Sequence, residues 1–382
     1  MKTSSKTRMA YLEAARGIAS IIVVFHHFLL GFSPSLKASV TEGGLAHTPL
    51  YLFVNGTGAV AFFFALSGFV LTLKFYQQFS ASDLAAAIVK RLPRLALPTG
   101  LSMIIGAAIL LYLPDSYVAA ARITGSGWLA TFAGVGFSQD FVPGFADAAR
   151  NSLLVFLWPG HSQYNSNLWT MVFEFYGSLL VFGLVAICSL APLRRQGAVV
   201  AIHLLLVLIC VVLHKLNFVP FIAGSLIAFF YCKRPALFQL APSAVGVLIL
   251  IMLAGYSTDN ETALILAAGA TMILLLGVPL LERRLGGTVG LYLGQLSFPL
   301  YLVHVLVLVS ATSAAYTALA GYALPRWSVL MLCLGLTWVI SLTAAIPFML
   351  LERVWVPALN RWTRAFLRFV RMPTEIQLPD AK

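Results

Sequence analysis

The chain has 382 residues, of which 60% are hydrophobic and 10% charged, with a mean hydropathy of +0.91. A soluble domain sits nearer 45–50% apolar and about 25% charged, so these figures exclude a soluble globular protein and point to a polytopic membrane protein. The net charge of +12 does not indicate nucleic-acid binding, because the basic residues sit at the ends of apolar runs and form no patch on a soluble face.

The first apolar run follows a basic flank and mimics a signal peptide, but it carries paired histidines and lacks a small-residue cleavage site, so it reads as a retained span. Runs of the length a bilayer needs follow in order. They cover 14–32, 57–74, 95–113, 168–190, 198–213, 217–232, 241–256, 262–281, 288–310 and 327–351. Between 114 and 167 lies a long segment with a weakly apolar stretch at 152–158, read as a short re-entrant or interfacial helix. With the N-terminus inside, all but five of the 25 Lys and Arg fall on the inner side; the exceptions are Lys37, Arg122, Arg150, Lys215 and Arg326. This asymmetry favours ten spans with both termini cytoplasmic. The fold expected is an all-α transmembrane helical bundle over 1–352, followed by a basic amphipathic cytoplasmic tail over 353–382. In that tail Trp362, Phe366 and Phe369 oppose Arg361, Arg364, Arg368 and Arg371, the pattern of a helix lying on the inner leaflet. Cys188, Cys210, Cys232 and Cys333 lie in apolar runs without CxxC spacing, so they read as packed thiols, with no disulfide framework and no metal site.

Ionisable groups inside spans are costly and mark cavities, partners or function. On the first span Arg16 and His27 are eleven residues apart, so they share a helix face to within about 20° and are about 16 Å apart along the axis. His26 points roughly 80° away from Arg16 and reads as a packed neighbour. Glu13, three residues before Arg16, is placed to pair with it. In "FFFALSGFVLT", Ser67 and Gly68 read either as a small-residue helix contact or as a polar wall at a cavity. In "KRLPRLALP", Lys90, Arg91 and Arg94 satisfy the positive-inside rule; Arg91 and Arg94 also suit a phosphate fork. Glu174, in "NLWTMVFEFYG", is the only carboxylate well inside a span. On the ninth span Ser297, Tyr301 and His304 share a face. His203 stands alone and reads as structural. By depth, His27, Ser67, Glu174 and His304 are expected to meet in the outer half of one cavity.

Together these residues resemble the acyltransferase 3 family of integral membrane acyltransferases, in order from about residue 11 to 362. "LEAARG" followed by His27 is similar to the family's acidic residue, Arg-Gly and histidine. "FFALSGF", Arg91 and Arg94 followed by Pro98, "LWTMVFE", "SFPLYLVH" and "LER" at Glu352 and Arg353 resemble its later motifs. Pro93 separates the arginines more sharply than the family pattern does. The resemblance implies transfer of an acyl group, commonly acetyl, from cytoplasmic acyl-CoA to a hydroxyl of a cell-surface or secreted glycan or glycolipid, with no permanently bound cofactor. It implies that Arg91 and Arg94 hold CoA phosphates and that the Arg16–His27 face lines the thioester's route. It also implies a stand-alone type without a fused esterase-like domain, in a bacterial inner membrane.

A sugar hydroxyl is a poor nucleophile near neutral pH and needs a base; a neutral imidazole suits that role. His27 is the expected base, with Glu174 orienting it or the acceptor. His304, Ser67, Ser297 and Tyr301 are expected to support the site or polarise the carbonyl. Direct transfer and an acyl-histidine intermediate are both compatible with these residues. A proton-coupled transporter also uses intramembrane His and Glu, but the chain has no inverted repeat and no matched broken helices, and a scaffold or sensor has no need of Glu174. The outer segments 33–56 and 114–167 are where acceptor selection is expected.

Overall fold

The computed structural model describes residues 10–37, 43–138 and 140–370; part of the outer segment 33–56 and the last residues of the tail, including Arg371, lie outside them. The described residues are helical and contain no β-strand. The helices in chain order are α1 (Ala10–Phe32), α2 (Gly56–Gln77), α3 (Ala81–Tyr112), α4 (Asp115–Thr124), α5 (Gly127–Ala130), α6 (Phe145–Leu154), α7 (Met171–Cys188) and α8 (Gln196–Val212). They continue with α9 (Val219–Lys233), α10 (Pro242–Tyr256), α11 (Glu261–Gly277), α12 (Pro279–Leu285), α13 (Thr288–Val307), α14 (Ser313–Ala320) and α15 (Arg326–Phe369).

Each of the ten apolar runs coincides with a helix. Seven helical segments are long and apolar enough to cross a membrane, and an eighth counts if α11 and α12, bent by 85° at Val278, form one span. The helices α8 and α10 are apolar but shorter.

Two helices extend well past their expected bounds. α3 starts at Ala81 instead of residue 95, capped by Ser80, whose hydroxyl accepts from the Asp83 N–H. It runs through Pro93 and Pro98. The Trp355 indole donates to the Pro93 carbonyl at 3.0 Å and so ties α15 to α3. α15 runs unbroken for 44 residues, about 66 Å at helix rise and twice a hydrocarbon core of ~30 Å. The amphipathic stretch is therefore a direct continuation of the last apolar helix, with Trp362 and Phe366 stacked on its surface. The apolar stretch expected as a re-entrant or interfacial helix at 152–158 contributes only its first residues to α6, which starts at Phe145.

Small residues set the closest helix contacts, as in other membrane bundles. A Cβ on Gly68 of α2 would lie 2.1 Å from the Phe221 carbonyl oxygen of α9, and one on Gly224 would lie 1.9 Å from the Ala65 carbonyl oxygen. A Cβ on Gly17 of α1 would meet Leu293 of α13 at 2.6 Å, and one on Gly294 would meet Glu13 at 2.5 Å. Arg16 pairs with Ser297 and His27 with His304, so α1 and α13 run parallel. The cysteines are free, three of them buried and Cys232 half-buried. His203 is fully buried, with its ring nitrogens against the Val199 carbonyl at 2.8 Å and the Ser225 hydroxyl at 3.2 Å. It is a satisfied core histidine.

Above α1 and α13, the segment from α4 to the start of α7 folds into a cap. Ser126 ties it to α1 by donating to the Leu30 carbonyl at 2.6 Å and caps α5 by accepting from the Leu129 N–H. Gly106 of α3 admits the Tyr164 carbonyl, which a Cβ there would meet at 1.8 Å. Burial pushes the Tyr164 phenol's pKa up, so it stays protonated and donates to Asp147 Oδ2 at 2.9 Å.

Candidate active site

The α1–α13 seam holds the site. At its inner end Arg16 donates to the Ser297 hydroxyl at 2.8 Å and to the Gly294 carbonyl at 2.9 Å, and pairs with Glu13 at 2.6 Å. Arg16 is thus held in place from both helices. The charges around Arg94 are Arg91, Glu352, Arg16 and Glu13, and the Arg94 side chain is exposed. Lys90 donates to Asn360 at 3.1 Å and Arg353 to Gln295 at 3.1 Å. This end of the seam is therefore rich in cations, with Glu13 and Glu352 among them.

About three helix turns further along α1, His27 Nδ1 lies 2.9 Å from His304 Nε2, and His304 Nδ1 lies 2.9 Å from the Leu300 carbonyl. A carbonyl only accepts, which assigns the protons. His304 donates from Nδ1, so its Nε2 accepts from the His27 Nδ1–H, and His27 Nε2 keeps its lone pair. The Trp128 ring stacks on His27 at 5.4 Å and 15°. His26 faces away as its position on the helix requires: its Nδ1 lies 3.0 Å from both the Val54 carbonyl and the Gly56 N–H. It docks α1 against the start of α2, where a Cβ on Gly56 would strike its ring at 2.5 Å.

His27 lines a cavity of about 560 Å³ under the cap, together with Trp128, Phe137, Gln163, Asn167 and Trp169. Its wall includes Ala133 (φ 59°) and Gly134 (φ 82°) in the left-handed region, and the preceding Phe132 (φ 52°) shares that backbone. Such strain persists only where the surroundings hold it, and it clusters at functional sites. Gly134 is required twice over, by its φ and because a Cβ would sit 3.2 Å from the Trp128 ring. A π-helical turn at Leu308–Thr312 follows α13 just beyond His304; such turns also recur at functional sites.

Three expectations need correcting. First, Glu174 does not orient His27. Its carboxylate accepts from Ser67 at 2.6 Å and from Arg91, and His304 occupies the orienting position. The histidines and the Ser67–Glu174 pair form two networks, because Glu174 lies on the α7 face that packs toward α2 and α3.

Second, Arg91 and Arg94 do not form one fork. Three residues apart on an unbroken helix, they point about 60° apart. Arg91, only 7% exposed, donates from Nε to Ser178 at 2.7 Å and pairs with Glu174, while Arg94 is exposed near Glu352, Arg16 and Glu13. Third, the Tyr301 hydroxyl is not free to polarise a carbonyl: it donates to the Asn167 carbonyl, lies 2.6 Å from Thr170 and holds the cap onto α13. In Ser67–Gly68, Gly68 is the close helix contact and Ser67 donates to Glu174.

Trp128, Gln163, Asn167 and Ser178 were not singled out by the sequence. Asn167 and Trp169 belong to the "NLWTMVFE" stretch, which offered a signal for the first; Trp128 and Gln163 sit in an aperiodic segment that offered none.

No curated protein and no solved structure matches the chain. A family model described as an acyltransferase domain (Acyl_transf_3) matches residues 9–351, a span that holds both networks and the cap. With its apolar helices, the chain belongs to the acyltransferase 3 family and is an integral membrane acyltransferase.

Proposed function

We propose that the protein moves an acyl group, acetyl in the first instance, from cytoplasmic acyl-CoA to a hydroxyl of a cell-surface or secreted glycan or glycolipid. It does so in a bacterial inner membrane, as ten spans with both termini cytoplasmic and the amphipathic continuation after residue 352 on the inner leaflet. The observation that carries this reading is the Leu300–His304–His27 relay, which leaves the Nε2 lone pair free on a histidine that lines a cavity.

The acceptor hydroxyl attacks the thioester carbonyl carbon as His27 Nε2 takes its proton. The tetrahedral adduct then collapses, the C–S bond breaks, and the imidazolium returns the proton to the departing CoA thiolate. His304 holds His27 in the tautomer that accepts. Arg94, Arg16 and Lys90 supply the positive end that CoA phosphates need. Arg91, with Ser67 and Ser178, fixes Glu174 and stiffens the bundle beside the site.

Mass analysis of the host's surface glycans, with and without the gene, tests the reading. It predicts that an acetyl-sized increment disappears with the gene and returns with the wild-type chain but not with His27→Ala. Identical glycans in both hosts would overturn it.

A further inference from the structure

Two residues that line the cavity above His27 carry enclosed side-chain oxygens with no partner, Gln163 Oε1 and Asn167 Oδ1. The orientation of Asn167 is fixed: its Nδ2 donates to the Tyr301 carbonyl, which can only accept, so Oδ1 must lie on the other side. Asn167 is 2% exposed, and a buried carbonyl without a donor is unfavourable until something donates to it. The site therefore asks for a ligand rich in hydroxyl or amide hydrogens. None of the described lining residues is Asp, Glu, Lys or Arg. A carboxylate, phosphate or ammonium placed here would lose its hydration and find no opposite charge. The walls are aromatic, with Phe137 and Phe141 stacked at 4.4 Å and Trp128 and Trp169 at other sides. Such faces suit the C–H surface of a saturated ring. The volume falls within the roughly 300–1,000 Å³ that small-molecule sites occupy.

We propose that this cavity is the acceptor subsite and that it selects an uncharged polyhydroxylated ring, a neutral sugar residue, through the side-chain carbonyls of Gln163 and Asn167. The inference rests on the acyl-transfer reading above and narrows its acceptor class. The hydroxyl that reaches His27 Nε2 is the one acylated, so Gln163 and Asn167 set which hydroxyl that is.

The test uses the purified full chain in lipid nanodiscs with acetyl-CoA. The acceptor probes are methyl glucoside, methyl galactoside and the methyl glycoside of N-acetylglucosamine, set against methyl glucuronide, methyl galacturonide and the methyl glycoside of galactosamine. The neutral set should be acetylated with kcat/KM at least about tenfold above the charged set, and Gln163→Leu should raise the KM of the best neutral acceptor about tenfold with a much smaller change in kcat. Charged acceptors used as well as neutral ones, or an unchanged acceptor KM in Gln163→Leu, would overturn the proposal. So would a KM for acetyl-CoA that rises in proportion.

Binding of the same glycosides without acetyl-CoA, followed by tryptophan fluorescence, separates this inference from the reading it rests on. Neutral glycosides that bind, and bind about tenfold more weakly to Gln163→Leu, would uphold the subsite even if no transfer occurred. Absence of both binding and transfer would overturn the two together.

Discussion

His304 Nε2 accepts a hydrogen bond from His27 Nδ1 at 2.9 Å, and the Leu300 carbonyl fixes the direction of that bond. Two histidines on parallel helices thus form one hydrogen-bonded pair with a defined tautomer, an arrangement that a catalytic triad histidine obtains from a carboxylate. A neutral partner leaves the pair without net charge, which suits a site surrounded by apolar wall.

Removing the partner should therefore harm catalysis more than folding. His304→Phe keeps the bulk of the ring but cannot accept from His27, which frees the wrong tautomer. The expected result is a kcat for acetyl transfer lower by roughly 10²-fold or more, with His304→Gln recovering part of it through its side-chain carbonyl. Steady-state transfer assays on the two variants check this; equal kcat in His304→Phe and wild type would remove His304 from the mechanism.

Arg91 and Glu174 are a mostly buried pair, and breaking one side of such a pair leaves an uncompensated charge. Arg91→Leu alone should destabilise the chain by about 3–5 kcal/mol, whereas Arg91→Leu with Glu174→Leu should fall much closer to wild type. Thermal unfolding of the detergent-solubilised variants provides the measurement. A double variant as unstable as the single one would contradict a role confined to this pair.

The α2–α9 contact depends on Gly68 and Gly224, whose Cβ positions fall on backbone carbonyl oxygens. Gly68→Ala should destabilise by about 1–3 kcal/mol. Gly183→Ala, on α7 with nothing within 4 Å, should be neutral or slightly stabilising through helix propensity. The same unfolding assay compares them.

Ten spans with both termini inside place Lys37 and Arg326 outside and Arg194 and Arg283 inside. Single cysteines introduced at these positions, in a chain whose own cysteines are replaced, should react with a membrane-impermeant maleimide in intact cells at 37 and 326 only. Labelling at 194 or 283 would require a different topology.

The α1–α13 seam was legible because it rests on periodicity. Eleven residues separate Arg16 from His27 and seven separate Ser297 from His304, so each pair shares a helix face before any partner is known. Which faces meet depends on how helices are arranged, and that is why the fate of Arg91 was not legible: basic residues near the inner end of a span look alike whether they meet solvent or a carboxylate on α7. Helix lengths were misjudged for a related reason. Hydropathy locates the part of a helix that lies in hydrocarbon, and the polar ends of α3 and α15 continue past it. The cap escaped because its shape comes from left-handed backbone at Phe132 and Ala133 and from glycine contacts, which leave no periodic trace.

The central claim is that His27 is the base that activates the acceptor hydroxyl. It is tested most directly by acetyl transfer from acetyl-CoA to the host's own glycan acceptor by purified His27→Ala protein whose unfolding temperature matches wild type. Transfer should fall to background while the protein stays folded; transfer at the wild-type rate would contradict the role of His27 as the base.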